Sequence, residues 1–133
     1  MIRYVTKLED IREDQLQGFF VGWPNPPSEE TFLKVLKGSY RVVLAMDSTK
    51  VIGFINAVSD GVLSAYIPLL EVLPEYQSKG VGVQLVSKMK IELSHLYMID
   101  LLCDEGLIPY YEKQGMIKAT GALIRNYENQ SGN

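Results

Sequence analysis

At Pro74 the hydrophobic pattern changes period, from two to 3.6, and that switch limits the fold more than any other feature of the chain. Upstream, Tyr40–Asp47, Val51–Ser59 and Ser64–Val72 are β-prone runs. They are separated by the turn signals Asp47-Ser48-Thr49-Lys50 and Asp60-Gly61, which predicts an antiparallel meander. Downstream, Gly82, Leu85, Val86, Met89, Leu93 and Leu96 fall on one helical face, with Gln84, Ser87, Lys88 and Lys90 on the other. The apolar run Met98–Cys103 follows as a strand. A strand, a long helix and a second strand form a right-handed crossover, so Ser64–Val72 and Met98–Cys103 should lie parallel. The expectation is a mixed α/β sheet, mostly antiparallel, with one parallel step.

Around this centre the other elements are short. Ile2–Thr6 is β-prone, and Glu9–Phe20 carries Ile11, Leu16, Phe19 and Phe20 at roughly helical spacing, which predicts a helix. Gly22-Trp23-Pro24-Asn25-Pro26-Pro27 must be loop, because its prolines lack an N–H donor. Ser28 reads as an N-cap followed by Glu29 and Glu30, and Gly38 as a left-handed terminator of that helix. Pro109 and Gly115 bracket a last short helix. Residues 1–125 form one domain in this reading, and 126–133 a solvated polar tail.

Composition removes several function classes. Thirteen Lys+Arg against sixteen Asp+Glu give a net charge of -3, without the basic stripe that nucleic-acid binding calls for. One cysteine, Cys103, and one histidine, His95, supply neither an internal disulfide nor a metal site. A reducing, cytoplasmic compartment is the expectation. The first residues are too charged for a signal peptide, and no apolar run reaches the ~18 residues of a membrane helix.

The chemistry concentrates in Leu70–Val86. A strand ends at Pro74, a polar loop follows, and Gly80 and Gly82 open a helix. Glycines there leave main-chain N–H groups bare at the positive end of a helix dipole, a site for phosphate oxygens, with the mobile charge of Lys79 beside them. No Gly-Lys dipeptide exists for a Walker loop, and Leu85 stands where the dinucleotide fingerprint needs its third glycine. What remains is Gln77-Ser78-Lys79-Gly80-Val81-Gly82 behind Val72-Leu73-Pro74-Glu75-Tyr76.

These two stretches, with Tyr110-Tyr111-Glu112-Lys113-Gln114-Gly115-Met116 downstream, resemble the GNAT superfamily of acyl-CoA-dependent N-acyltransferases. The likeness spans roughly Val43 to Arg125, its blocks in the family's order. The N-terminal half, with Gly22–Ser28 and Val51–Gly61, is similar to a branch that includes plant and cyanobacterial arylalkylamine (serotonin-type) acetyltransferases. The chain departs from the family pattern at Asp104-Glu105, where an Asn commonly stands, and at Leu107, where the family has Ala.

The resemblance implies helices on both sheet faces and acetyl-CoA as cosubstrate, with no metal. Strands Ser64–Val72 and Met98–Cys103 would splay apart, leaving the main chain of Leu70, Glu71 and Val72 to pair with pantetheine amides. Gln77, Ser78, Lys79, Gly80, Val81 and Gly82 would hold the pyrophosphate. Tyr111 occupies the family's general-acid position, protonating the departing thiolate. Glu71 is the candidate base, with solvent-facing Glu71 and a water chain as the alternative, and Tyr66 nearby on the opposite parity of the strand. His95 reads as a surface or capping residue and Cys103 as a small buried hydrophobe.

In this fold the segment between the first two strands covers the acceptor, and here it carries Phe20 and Trp23. Those aromatics either form a lid that favours an amine with an apolar body or belong to the core. The leading function is acetyl transfer to the primary amine of a small molecule by direct attack in a ternary complex. Its alternatives are a protein or peptide N-acetyltransferase, a catalytically silent acyl-CoA-binding regulatory module, and a ligand-free interaction protein built as a homodimer on the strands near the C-terminus.

Overall fold

The computed structural model describes residues 1–133. In chain order its elements are β1 (Ile2–Val5), α1 (Glu29–Lys37), β2 (Arg41–Asp47), β3 (Lys50–Ser59), β4 (Ser64–Val72), α2 (Val81–Glu92), β5 (Met98–Asp100) and α3 (Ile108–Glu112). The five strands form one sheet in sequence order. β1 to β4 are antiparallel neighbours, and β5 joins β4 in parallel, as the strand–helix–strand pattern requires.

Alternation along β2 divides the apolar side chains between two layers. Val43 and Ala45 join one cluster with Leu85, Val86 and Met89 of α2. Val42, Leu44 and Met46 join the other, with Phe32 and Leu36 of α1. Helices therefore cover both faces, and the central strands are buried from both sides. No helix is long and apolar enough to cross a membrane.

β4 is irregular in one consequential place. Val58 pairs with Tyr66, but Asn56 pairs with Leu69, so β4 holds one more residue than β3 across this step. Such a bulge reverses the side-chain alternation beyond it. Ala65 and Ile67 before the bulge, and Leu70 and Val72 after it, all pack on the α2 side. Leu69 turns to the α1 side. Tyr66 and Glu71, of opposite parity in the sequence, consequently share a face.

Three local expectations need correction. Glu9–Phe20 is not a helix but a single 3-10 turn, Glu13–Gln15, within irregular chain. The Gln15 side chain accepts from Arg12 N–H at 2.7 Å and donates to the Thr49 carbonyl at 2.6 Å, tying this segment to the β2–β3 turn. Gly18 and Phe20 take left-handed backbone (φ 96° and 64°), which no helix continues through. Gly38 does end α1, but at φ -82°. The Ser39 hydroxyl donates to the Val35 carbonyl, so helix-end carbonyls are satisfied without a left-handed residue. The strand expected over Met98–Cys103 is paired only to Asp100.

Residues 126–133 are polar, yet they touch the domain. Asn25 N–H donates to Gln130 Oε1 at 2.9 Å, and the Thr31 hydroxyl to Asn133 Oδ1 at 3.2 Å. At the start of α1, Ser28 Oγ accepts from Thr31 N–H at 3.1 Å, as its sequence position predicts. Ser28→Ala should cost about 1 kcal/mol of stability, read as a lower urea midpoint at unchanged slope.

Candidate active site

β4 and β5 stay paired only through Tyr66 and Asp100. Beyond that point the bulge at Ile67–Pro68 swings β4 away, and a cleft of about 260 Å³ opens between Ile67–Leu70 and Leu101–Asp104. Leu107, just before α3, and Tyr111 of α3 close it. Eight of its ten lining residues are hydrophobic, and two lengths of main chain and Asp104 give its exposed wall a polar share as well. Residues 101–103 make no backbone hydrogen bond to any other part of the chain.

The loop from Pro74 to α2 is built by its own side chains. The Tyr76 hydroxyl donates to Asp47 Oδ2 at 2.5 Å, and the Gln77 side-chain amide donates to the Val72 carbonyl at 2.9 Å. Ser78 and Gly80 adopt left-handed backbone, with φ 63° and 82°. Gly80 is the N-cap of α2, no side chain caps the helix, and no acidic residue stands in its first turn. The first main-chain bond there is Gln84 N–H to Gly80 O. The amides of Val81, Gly82 and Val83 are left bare at the positive end of a twelve-residue helix. Lys79 Nζ sits 5.6 Å from the centre of the Tyr76 ring.

The two glycines serve different ends. A Cβ on Gly80 would meet nothing, so its need is the left-handed φ. A Cβ on Gly82 would lie 2.6 Å from Tyr110 Oη. Tyr110 of α3 thus packs onto the first turn of α2, and the phosphate-type loop and the tyrosine pair form one unit. Tyr110 in turn supports Tyr111 edge-to-face, ring centres 5.0 Å apart.

Tyr111 is 8% exposed, and its hydroxyl makes no hydrogen bond within the protein. Burial, then the neighbouring Tyr110 and Cys103, push its pKa up from 10.0 to about 12. The phenol therefore holds its proton throughout the neutral range beside the cleft. Cys103 is half-buried and lines the same cleft, rather than sitting wholly in the core.

Glu71 occupies a more constrained position than its sequence role as a base assumes. Its two carboxylate oxygens accept from the main-chain amides of Phe20, at 2.8 Å, and Val21, at 3.2 Å. This holds the left-handed turn at Phe20 against β4. Leu70 and Val72 pack towards α2. Phe20 is 5% exposed, and its ring contacts Phe32 and Trp23 at 4.9 Å, so it is core. Trp23 is 37% exposed. A smaller aromatic cleft of about 140 Å³ opens between Phe19, Phe20, Phe32 and the prolines Pro26 and Pro27. His95 lies apart from the cleft residues, its Nε2 2.8 Å from Tyr40 Oη.

Sequence reading did not single out Pro68, Leu101, Leu102 or Leu107 as site residues. The proline inside a β run was the available signal, since a central ladder seldom tolerates one.

The match to the model of the acetyltransferase (GNAT) family runs over residues 8–116. Among curated proteins, the chain is 26% identical over 122 residues to the "uncharacterized N-acetyltransferase ycf52" of Porphyra purpurea, covering 86% of this chain and 70% of that one. Among solved structures, a "putative acetyltransferase" from Deinococcus radiodurans superposes with a TM-score of 0.95 at 46% identity, covering 98% of this chain and 92% of that one. A GNAT-family acetyltransferase from Streptococcus pneumoniae gives a TM-score of 0.77 at 29% identity, covering 95% and 98%. The cleft between parting strands, the bare helix amides and the extent of these matches lead to one assignment: the chain belongs to the GNAT family of acetyltransferases and is an enzyme of that family.

Proposed function

We propose that the enzyme moves an acetyl group from acetyl-CoA to the primary amine of a small molecule by direct attack within a ternary complex. The observation that carries this reading is the junction of three features on α2, β4 and α3. They are bare amides at 81–83, a cleft beside Leu70–Val72, and the unpaired Tyr111 hydroxyl at its wall. The residues fit the cosubstrate: amides of a helix N-terminus suit a pyrophosphate, and a strand edge without a neighbour suits the pantetheine amides.

In the reaction the amine lone pair attacks the thioester carbonyl, and the C–S bond breaks as the amide C–N bond forms. Main-chain N–H near Val72 stabilises the oxygen as charge develops on it. Holding the two reactants in line supplies a large share of the barrier reduction, up to ~7–11 kcal/mol. Tyr111 gives the departing sulfur a hydrogen bond and then a proton, and it regains a proton as the one lost by the amine is passed to solvent. Glu71 acts here as the tie that fixes the Phe20–Val21 turn over the cleft, since both its oxygens already accept amide protons.

The acceptor in this proposal is an amine with an aromatic or apolar body, in keeping with the arylalkylamine-type resemblance. The exposed indole of Trp23 and the proline-walled aromatic cleft support that choice.

Acetyl-CoA at about a hundred times its Kd should raise the unfolding free energy by about 2.7 kcal/mol, measured by thermal or urea denaturation. An amine panel with thiol release as readout should then reveal turnover. Binding without turnover across the panel would establish the silent regulatory module instead. Tyr111→Phe should lower kcat by about 10²-fold while cosubstrate affinity stays unchanged. An undiminished kcat would remove Tyr111 from the acid role.

The raised pKa of Tyr111 has a second consequence. The folded state binds this proton more tightly than the unfolded chain, so the associated stability is complete below pH 10 and disappears as pH rises towards 12. Alkaline unfolding curves of wild type should fall more steeply over that window than those of Tyr111→Phe.

A further inference from the structure

Cys103 is the only thiol of the chain, and it stands in the wall of the cleft between β4 and the residues after β5. It is half-buried, and residues 101–103 form no backbone hydrogen bond, so no ladder seals that wall. Tyr111 lines the same cleft at 8% exposure, and its hydroxyl has no partner within the protein. The side-chain polar atoms that are fully enclosed without a partner are Asn56 Oδ1 and Gln114 Oε1. The Tyr111 oxygen is not among them, so it opens into the cleft and leaves a donor there for a bound group. Cys103 lies near enough to contribute to the raised pKa of that phenol. A thiol and an unsatisfied hydroxyl thus share one cavity of about 260 Å³.

Under the cosubstrate reading above, on which this inference rests, the cleft takes the pantetheine arm of CoA, which ends in sulfur. We infer that Cys103 is a modification site for the disulfide form of CoA, which it captures as a mixed disulfide. The Cys103 thiolate attacks one sulfur of CoA disulfide, the S–S bond breaks, and a Cys103–S–S–CoA bond forms. The second CoA leaves as a thiolate and takes up a proton in place of the one Cys103 gave to solvent. Cys103 is oxidised and the departing CoA is reduced, so the exchange needs no other reagent.

No lysine, arginine or histidine lines the cleft, so a cationic neighbour is not what draws a disulfide to this thiol. Selectivity comes from binding. The bare amides at 81–83 suit the diphosphate of the CoA half, and holding that half beside Cys103 raises the rate of exchange. A disulfide without a nucleotide lacks this hold. Because the chain has no second cysteine, no internal thiol resolves the adduct, and it persists until an external thiol attacks it. While it persists, it fills the cleft that acetyl-CoA needs. Acetyl-CoA binding thereby becomes sensitive to the balance between CoA thiol and CoA disulfide.

The test treats the reduced full chain with CoA disulfide and counts adducts by intact mass spectrometry, before and after dithiothreitol. One dithiothreitol-reversible CoA per chain is expected, and none on Cys103→Ser. Hydroxyethyl disulfide at the same concentration should react at least about tenfold more slowly. Saturating acetyl-CoA should slow CoA capture by at least about tenfold. Thermal stabilisation by acetyl-CoA, measured separately, reports whether the chain takes the cosubstrate at all. Suppose acetyl-CoA stabilises the chain, yet CoA is not captured, or is captured no faster than hydroxyethyl disulfide, or equally fast with acetyl-CoA present. Each of these results overturns the inference and leaves the cosubstrate reading standing. A chain that acetyl-CoA fails to stabilise overturns both.

Discussion

A single extra residue in β4, at the step where Val58 faces Tyr66 and Asn56 faces Leu69, sets the geometry on which the site depends. An unbulged β4 would keep its alternation, continue alongside β5 beyond Asp100, and leave no slot between them. With the bulge, the strand bends where Pro68 removes a main-chain donor, and pairing with β5 stops after Tyr66. The unpaired backbone this creates would be a liability in a sheet interior. Here it borders an open cleft between Ile67–Leu70 and Leu101–Asp104, so the unpaired groups are not sealed in the sheet.

The same bulge distributes the side chains of β4 between the two layers. Leu70 and Val72 stay with the α2 layer, close to the loop whose bare amides suit a pyrophosphate. Leu69 and Glu71 turn to the opposite layer, where Glu71 grips the amides of Phe20 and Val21. One strand thereby packs against both helical layers. The strained turn at Phe20 is stabilised by charge-assisted hydrogen bonds from β4, which couples the position of Trp23 to the wall of the cleft.

Much of this was legible in the sequence because it rests on local chemistry. The meander, the parallel step, the Ser28 cap and the opening of α2 at Gly80 follow from period, turn residues and glycine spacing, and each is present. The failures share a cause. Glu9–Phe20 has helical spacing, but the Gln15 side chain binds the distant Thr49 carbonyl, and that tertiary contact overrides the periodicity. The hydrogen bonds that Glu71 accepts from Phe20 and Val21 were not legible because those partners lie about fifty residues earlier in the chain. The Met98–Cys103 run looks like a full strand, yet whether its second half pairs depends on a bulge in another strand.

Tyr111 shows how packing fixes a chemical property that composition leaves open. Its ring is held by Tyr110, whose hydroxyl occupies the space that a side chain at position 82 would fill. A glycine at the start of α2 therefore leaves the space in which the tyrosine pair of α3 is seated. Burial of the Tyr111 phenol lifts its pKa to about 12, so the group stays protonated across the neutral range. The glycines and the tyrosines stand nearly thirty residues apart, but the close approach at Gly82 makes the start of α2 and the tyrosine pair of α3 one packed unit.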